Sequence, residues 1–324
     1  MINIALIGAG QIGSRHLQGL KHINQSCNIQ VMDINESALQ IAQQRFDEVQ
    51  SDGFIGTVSY LTTLSALEGD LDLAIIATSA KYRASIVHEL LSKLKVKNII
   101  LEKVLFQSIE DYYTIETALT KFNINAFVNC PRRYFTDYQL IKKELLHSDN
   151  INMTVHGTNW RLASNGIHFI DLFQFITGES VKLNIDGLNP KIIDSKHEDL
   201  IEITGVLSGV SESKHCLSMT CVNGDNIPLL VEIYSNTKRF VIQESIKGAI
   251  KIQSESLNGY WEESAFAPIY QSQLTGTIVE DILQGNCKLA EYKDSMPIHI
   301  EFIAAVNNHL SMILNKKVSV CPIT

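Results

Sequence analysis

The chain lacks any apolar run approaching the roughly 20 residues that cross a bilayer, and it has no C-x-x-C pair, low-complexity tract, internal repeat or flexible linker. Its cysteines, Cys27, Cys130, Cys216, Cys221, Cys287 and Cys321, mostly sit in apolar, strand-like surroundings. Cys216 and Cys221 have no histidine at ligand spacing, so neither a disulfide framework nor a bound metal is expected, and free thiols in a reducing cytoplasm are. The first residues enter a strand pattern at once rather than a secretory signal. Positive charge is also in short supply. A net charge of −8 gives no reason to expect nucleic acid or an anionic membrane as a partner. A negatively charged substrate would need local cations, so individual arginines and lysines matter more than the total.

What is present is ordinary globular material, 45% hydrophobic and 19% charged, in a chain of 324 residues that is long enough for two domains. The most informative stretch is residues 2–14, INIALIGAGQIGS. An apolar run from Ile2 to Ile7 stops at Gly8, and Gly10 and Gly13 follow at the G-x-G-x-x-G spacing. This reads as strand, glycine turn, helix. Gly8 allows the tight turn, Gly10 lets a pyrophosphate approach the backbone, and Gly13 lets the helix pack close to the strand, with the amides of Gln11 and Ile12 in its first turn. Asp33 ends a second apolar run, where a carboxylate can accept hydrogen bonds from both hydroxyls of an adenosine ribose. It would repel a 2′-phosphate, and no arginine follows in Ile34-Asn35-Glu36, so the pattern favours NAD over NADP.

Residues 1–128 alternate strand and helix patterns, with strands over 2–7, 29–33, 71–77, 96–101 and 124–128 and helices over 11–24, 35–46, 80–94 and 108–121. Such alternation implies a doubly wound parallel sheet of the Rossmann type with right-handed crossovers. Residues 129–324 change character. Helices are expected over 133–147, 165–177 and 269–284, and Asp294-Ser295-Met296-Pro297 caps a last helix reaching about Leu314. Between them lie strand-like runs at 151–158, 181–187, 200–207, 214–222, 227–235, 238–244 and 249–253, which suggest an α+β domain with an open, mainly antiparallel sheet. This order places the active site in the cleft between the two domains.

Several separated segments match one family in order and spacing. They are Gly8-Ala9-Gly10-Gln11-Ile12-Gly13-Ser14-Arg15-His16, the strand at 72–77, Glu102-Lys103, Arg132-Arg133-Tyr134, and Gly166-Ile167-His168-Phe169-Ile170-Asp171. The chain resembles the glucose–fructose oxidoreductase, inositol dehydrogenase and rhizopine-catabolism (Gfo/Idh/MocA) family over nearly its whole length. The resemblance implies NAD as cofactor and hydride transfer between nicotinamide and a hydroxyl or carbonyl carbon of a sugar, polyol or sugar nucleotide. It also implies a homodimer or homotetramer built on the open sheet. Lys103 matches the lysine of the family's Glu-Lys-Pro motif and His168 its active-site histidine, which implies an acid–base lysine and a proton-relay partner. Thr78, Ser79, Arg83 and Glu102 fall at strand ends that would line the cofactor. Arg132, Arg133, Trp160, Arg161, Asn165 and Asp171 are candidates for the substrate: guanidinium forks hold carboxylate or phosphate, and an indole stacks on a sugar face. The arginines could instead form interdomain ion pairs.

Three positions depart from the family pattern. Val104 stands where the family has proline, so a trans Lys103–Val104 bond is expected. Ser164 stands where many relatives carry aspartate four residues before the histidine, so a carboxylate assisting His168 is expected to be missing. Arg83 replaces a frequent histidine. These changes resemble a branch that handles surface-polysaccharide sugars. They also keep open a cofactor-retaining glycosidase or epimerase and a non-catalytic NAD-binding regulator.

Overall fold

The computed structural model describes residues 1–50, 56–195 and 199–324. Element order is β1 (Ile2–Ile7), α1 (Gln11–Leu20), β2 (Cys27–Met32), α2 (Glu36–Asp47), β3 (Gly56–Leu61), β4 (Leu71–Ile76), α3 (Ala80–Lys93), β5 (Val96–Leu101), α4 (Ile109–Lys121) and β6 (Asn125–Val128). There follow α5 (Thr136–Glu144), β7 (Asn152–Thr158), α6 (Leu162–Thr177), β8 (Lys182–Leu188), β9 (Ile193–Asp194), β10 (Ile201–Glu202), β11 (Gly205–Val210), β12 (Cys216–Val222), β13 (Leu230–Tyr234), β14 (Lys238–Gln243), β15 (Gly248–Ser254) and β16 (Trp261–Phe266). The chain closes with α7 (Gln271–Leu283), β17 (Ala290–Glu291) and α8 (Tyr292–Leu314).

Two compact units form. The first gathers residues 1–106, 110–131 and 269–295; the second gathers 107–109, 132–268 and 296–324. The sheet of the first unit runs β17-β6-β5-β4-β1-β2-β3. Every pair in it is parallel except β17 on β6. Helices cover both faces of such a sheet, so its central strands are continuous apolar runs; Ile4 to Ile7 and Leu73 to Ile76 are fully buried. Strand order reverses between β1 and β4, the switch point where ligands sit in this architecture. β3 is an edge strand of mixed composition, Gly-Thr-Val-Ser-Tyr-Leu, which explains why no apolar run marks it in the sequence.

The ends of the central strands are laced together. Gly8 N–H donates to Met32 O, Ala77 N–H to Ile7 O, Glu102 N–H to Ile76 O and Asn129 N–H to Leu101 O, at 2.8 to 3.1 Å. These bonds hold the residues just past β1, β4, β5 and β6 along one edge of the sheet.

The second unit is an eight-stranded sheet, β16-β15-β14-β13-β7-β12-β11-β8, with a separate β9–β10 pair. It is antiparallel except where β12 lies parallel to β7. Its strands alternate as one-sided sheets do: Leu217, Met219 and Cys221 are buried, while Ser218 and Thr220 between them are half-buried. Two element boundaries correct the sequence reading. α6 begins at Leu162 rather than Asn165. α8 begins at Tyr292, which leaves Pro297 inside the helix rather than in its opening turn.

Candidate active site

In the first unit the glycine turn has the geometry a dinucleotide requires. Gly8 takes φ +95°, and a Cβ there would stand 2.9 Å from the backbone of Ala77 and Thr78. A Cβ on Gly13 would lie 1.8 Å from Gly8 O, so only glycine lets α1 cross the end of β1 this closely. A Cβ on Gly10 would meet nothing within 4 Å. Gly8 and Gly13 therefore shape the turn, and Gly10 keeps open the space a pyrophosphate would take above the α1 N-terminus. That N-terminus has no side-chain cap and no acidic residue in its first turn, so its free amides and the positive end of its dipole remain available to an anion. Asp33 anchors the turn. Its Oδ2 accepts from Ala9 N–H at 2.7 Å and its Oδ1 from Asn35 N–H at 2.9 Å. A carboxylate has about four acceptor sites, so capacity for ribose hydroxyls is left. Thr78 Oγ1, just past β4, is buried with no hydrogen-bond partner among the described residues. An orphaned acceptor there and an open cradle at Gly10 fit NAD.

Ser79 is the exposed residue preceding α3. The Arg83 fork is turned inward. Its Nη1 donates to Leu105 O at 2.7 Å and to Val104 O, and its Nη2 to Thr78 O. Burial pushes its pKa down to about 10. Arg83 thus braces the loops that follow β4 and β5. The Lys103–Val104 bond that it supports is cis, which corrects the expectation of a trans bond.

Glu102 is buried beside Lys103. Its Oε1 lies 2.9 Å from His16 Nε2 and accepts from Asn129 Nδ2. A carboxylate only accepts, so Nε2 carries the proton in that contact. His16 Nδ1 lies 3.0 Å from Thr275 Oγ1, and Asn129 Nδ2 donates to Gln271 Oε1 at 2.9 Å. Burial alone would raise the Glu102 pKa; the bonds from His16 and Asn129 overcome it and hold the carboxyl below its ordinary value. Sequence reasoning noted His16 within a motif but gave it no task, and it missed Asn129, Gln271 and Thr275. The available signal was the polar pair Gln271 and Thr275, one turn apart on α7, with Thr275 falling among the helix's buried residues.

In the second unit α6 carries His168, Ser164, Asn165 and, at its N-cap, Arg161, all half-buried. Arg161 adopts left-handed φ +63°, an uncommon conformation for a long side chain and a frequent mark of functional sites. Asn165 Nδ2 donates to Trp160 O at 2.8 Å. Trp160 Nε1 donates to Thr220 O at 2.8 Å, and its ring meets Phe169 edge-on at 5.6 Å. The two other arginines are in bidentate ion pairs inside this unit. Arg132 holds Glu244 at 2.9 and 2.6 Å, and Arg133 holds Asp171 at 2.9 and 2.8 Å. Burial raises the Asp171 pKa, and Arg133 works against that rise. Both forks are engaged by carboxylates, but within the second unit, which corrects the expectation of ion pairs between domains.

Ser164, which stands where relatives carry aspartate, is itself held by a carboxylate. Glu202, on β10, places its Oε2 3.0 Å from Ala163 N and contacts Ser164 Oγ through Oε1. A buried acid from a distant strand thus caps the helix that carries His168. Burial raises its pKa, and the Ser164 and Ala163 bonds oppose the rise. Among the described residues no cluster of three metal-ligating side chains forms, and no helix is long and apolar enough to cross a membrane.

The strand order with its switch point between β1 and β4, the glycine turn after β1 and the Asp33 carboxylate after β2 define the first unit as a Rossmann domain. Residues 2–129 match the family model described as oxidoreductase family, NAD-binding Rossmann fold (GFO_IDH_MocA). No curated protein matches the chain. Solved structures share its fold. An oxidoreductase from Agrobacterium radiobacter, solved with NAD+, L-tartaric acid and magnesium, superposes with TM-score 0.73 at 16% identity, covering 96% of this chain and 97% of that one. The WlbA dehydrogenase from Bordetella pertussis, in complex with NADH and UDP-GlcNAcA, gives TM-score 0.70 at 17% identity, covering 95% of each. The transcriptional regulator Gal80p from Kluyveromyces lactis gives TM-score 0.70 at 14% identity, covering 98% and 91%.

Proposed function

We propose that the protein is an NAD(H)-dependent oxidoreductase acting on a hydroxyl or carbonyl carbon of a sugar, polyol or sugar nucleotide. The observation that carries the reading is the lysine at the end of β5, held next to a buried, hydrogen-bonded Glu102 in the same sheet edge as the glycine cradle. Gly8, Gly10 and Gly13 with the α1 amides receive the pyrophosphate, Asp33 the adenosine ribose, and Thr78 and Ser79 line the continuation past β4. The nicotinamide, when bound, supplies the hydride acceptor or donor. Lys103 Nζ takes the hydroxyl proton in the oxidative direction and polarises the carbonyl in the reductive one. His168 is its partner on the substrate oxygen, oriented by the α6 turn that Glu202 caps. Trp160, Arg161 and Asn165 meet the substrate, and Arg132 and Arg133 set the shape of the site through Glu244 and Asp171. A carboxylate at position 33 favours NAD over NADP. An uncharged sugar or polyol moiety suits the region in which both of these guanidinium forks already hold carboxylates.

The test is turnover with NAD+ and a panel of UDP-N-acetylglucosamine, its uronic acid and free polyols, read as NADH absorbance. Turnover that Lys103→Met removes without loss of NADH binding supports the reading. Tight NADH binding with no turnover across the panel, unchanged by Lys103→Met in any pathway assay, would favour the non-catalytic regulator that the Gal80p-like fold also accommodates.

A further inference from the structure

Gln11 and Ser14 lie in the first turn of α1, where the dinucleotide phosphates are received. Both are held by a residue the sequence gave no role. Arg45, in the last turn of α2, donates from Nη1 to Gln11 Oε1 at 2.9 Å and to Ser14 Oγ at 2.6 Å. The contact is reinforced from α1, where Gln18 Nε2 donates to Arg45 O at 3.0 Å. Arg45 is half-buried, and among the described residues its guanidinium enters no ion pair. Two positive features therefore converge on one turn: an uncapped helix N-terminus without an acid of its own, and a guanidinium that no carboxylate neutralises.

We infer that Arg45 is part of the dinucleotide site: its charge acts on the diphosphate, and its bonds to Gln11 and Ser14 fix the α1 turn whose amides receive it. Asp33 brings a negative charge to the adenosine side of the same turn, bonded to Ala9 N–H. Arg45 offsets that charge on the phosphate side. The inference rests on the NAD reading above. A guanidinium suits the role because it stays charged and keeps a fixed fork while one nitrogen is engaged.

The experiment is titration of the full chain with NADH, ADP-ribose and adenosine, for wild type, Arg45→Gln and Arg45→Lys, at low and raised salt. Thermal melts establish that each variant is folded. Arg45→Gln is expected to weaken NADH and ADP-ribose by about fivefold, the scale of one partly screened ion pair. Adenosine, which has no phosphate, keeps its affinity, and the salt dependence of NADH binding becomes shallower. Arg45→Lys keeps the charge and stays within about twofold of wild type. Equal weakening of adenosine and NADH would overturn the inference and leave Arg45 as a staple between helices. Unchanged NADH affinity in Arg45→Gln, or a loss in Arg45→Lys as large as in Arg45→Gln, would also overturn it. Failure of the wild type to bind NADH at all would overturn the NAD reading and this inference with it; wild-type NADH binding that Arg45→Gln leaves untouched overturns the inference alone.

Discussion

His16 Nε2 and Glu102 Oε1 lie 2.9 Å apart, with both side chains buried, one turn into the first helix and one residue before Lys103. This pair ties α1, the proposed phosphate-receiving helix, to the strand end that carries Lys103, the proposed acid–base group. Glu102→Ala leaves His16 without its acceptor and is expected to cost about 3–5 kcal/mol in chemical unfolding, as for other broken buried pairs. The pair also has a pH signature. The folded pKa of Glu102 lies below the unfolded value of 4.5, so its contribution is complete above that value and fades as pH falls through the folded one. The stability gap between wild type and Glu102→Gln is expected to narrow on acidification below 4.5. A gap that stays constant into that range would contradict the assignment.

The glycines separate folding from binding. Gly13→Ala drives a methyl to within 1.8 Å of Gly8 O, so it is expected to destabilise the first unit by about 1–3 kcal/mol or more. Gly10→Ala meets nothing within 4 Å and is expected to leave the melting temperature unchanged. It should still weaken NADH about tenfold or more, because the methyl enters space the pyrophosphate needs. Melts and NADH titrations on both variants check this contrast.

Asp33 sets the cofactor preference in this account. Asp33→Ser removes the charge that repels a 2′-phosphate, so the NADH-to-NADPH affinity ratio is expected to fall about tenfold or more. Titration with both cofactors reads it directly. The same variant also loses the acceptor for Ala9 N–H, so a modest fall in NADH affinity accompanies the change.

Much of this was legible in the sequence. Buried parallel strands announce themselves as continuous apolar runs, and the turn at Gly8 to Gly13 follows from what each glycine alone permits. The fold class was readable for that reason. Edge strand β3, half polar, was not, and neither was the return of residues 269–295 to the first unit, because no local pattern encodes a contact between Thr275 and His16. The candidate site was half legible. Residue type and position pointed to Asp33, and the family resemblance to Lys103 and His168, but the partners of Glu102, Ser164, Arg132 and Gln11, namely Asn129, Glu202, Glu244 and Arg45, became visible only when chain-distant groups met. Arg132 and Arg133 show the limit most clearly: their sequence suits a substrate anion, and their forks hold Glu244 and Asp171.

Glu202 caps α6 from a strand distant in sequence. Glu202→Ala is expected to cost about 1–2 kcal/mol as a lost helix cap, whereas Glu202→Gln keeps an acceptor for Ala163 N–H and costs less. Burial raises the folded Glu202 pKa above the unfolded 4.5, so the protonated side chain's contribution is present below that value and is lost as pH rises through the folded one. Relative to Glu202→Gln, the wild type is expected to lose stability as pH rises over that interval, which urea unfolding at a series of pH values measures.

The central claim is that the cradle at the end of β1 is built for NAD. Fluorescence titration of the full chain with NADH and NADPH under one buffer tests it most directly. Saturable NADH binding is expected, with NADPH binding weaker by about tenfold or more because the Asp33 carboxylate would repel a 2′-phosphate. Equal or tighter binding of NADPH, or no binding of NADH, would contradict it.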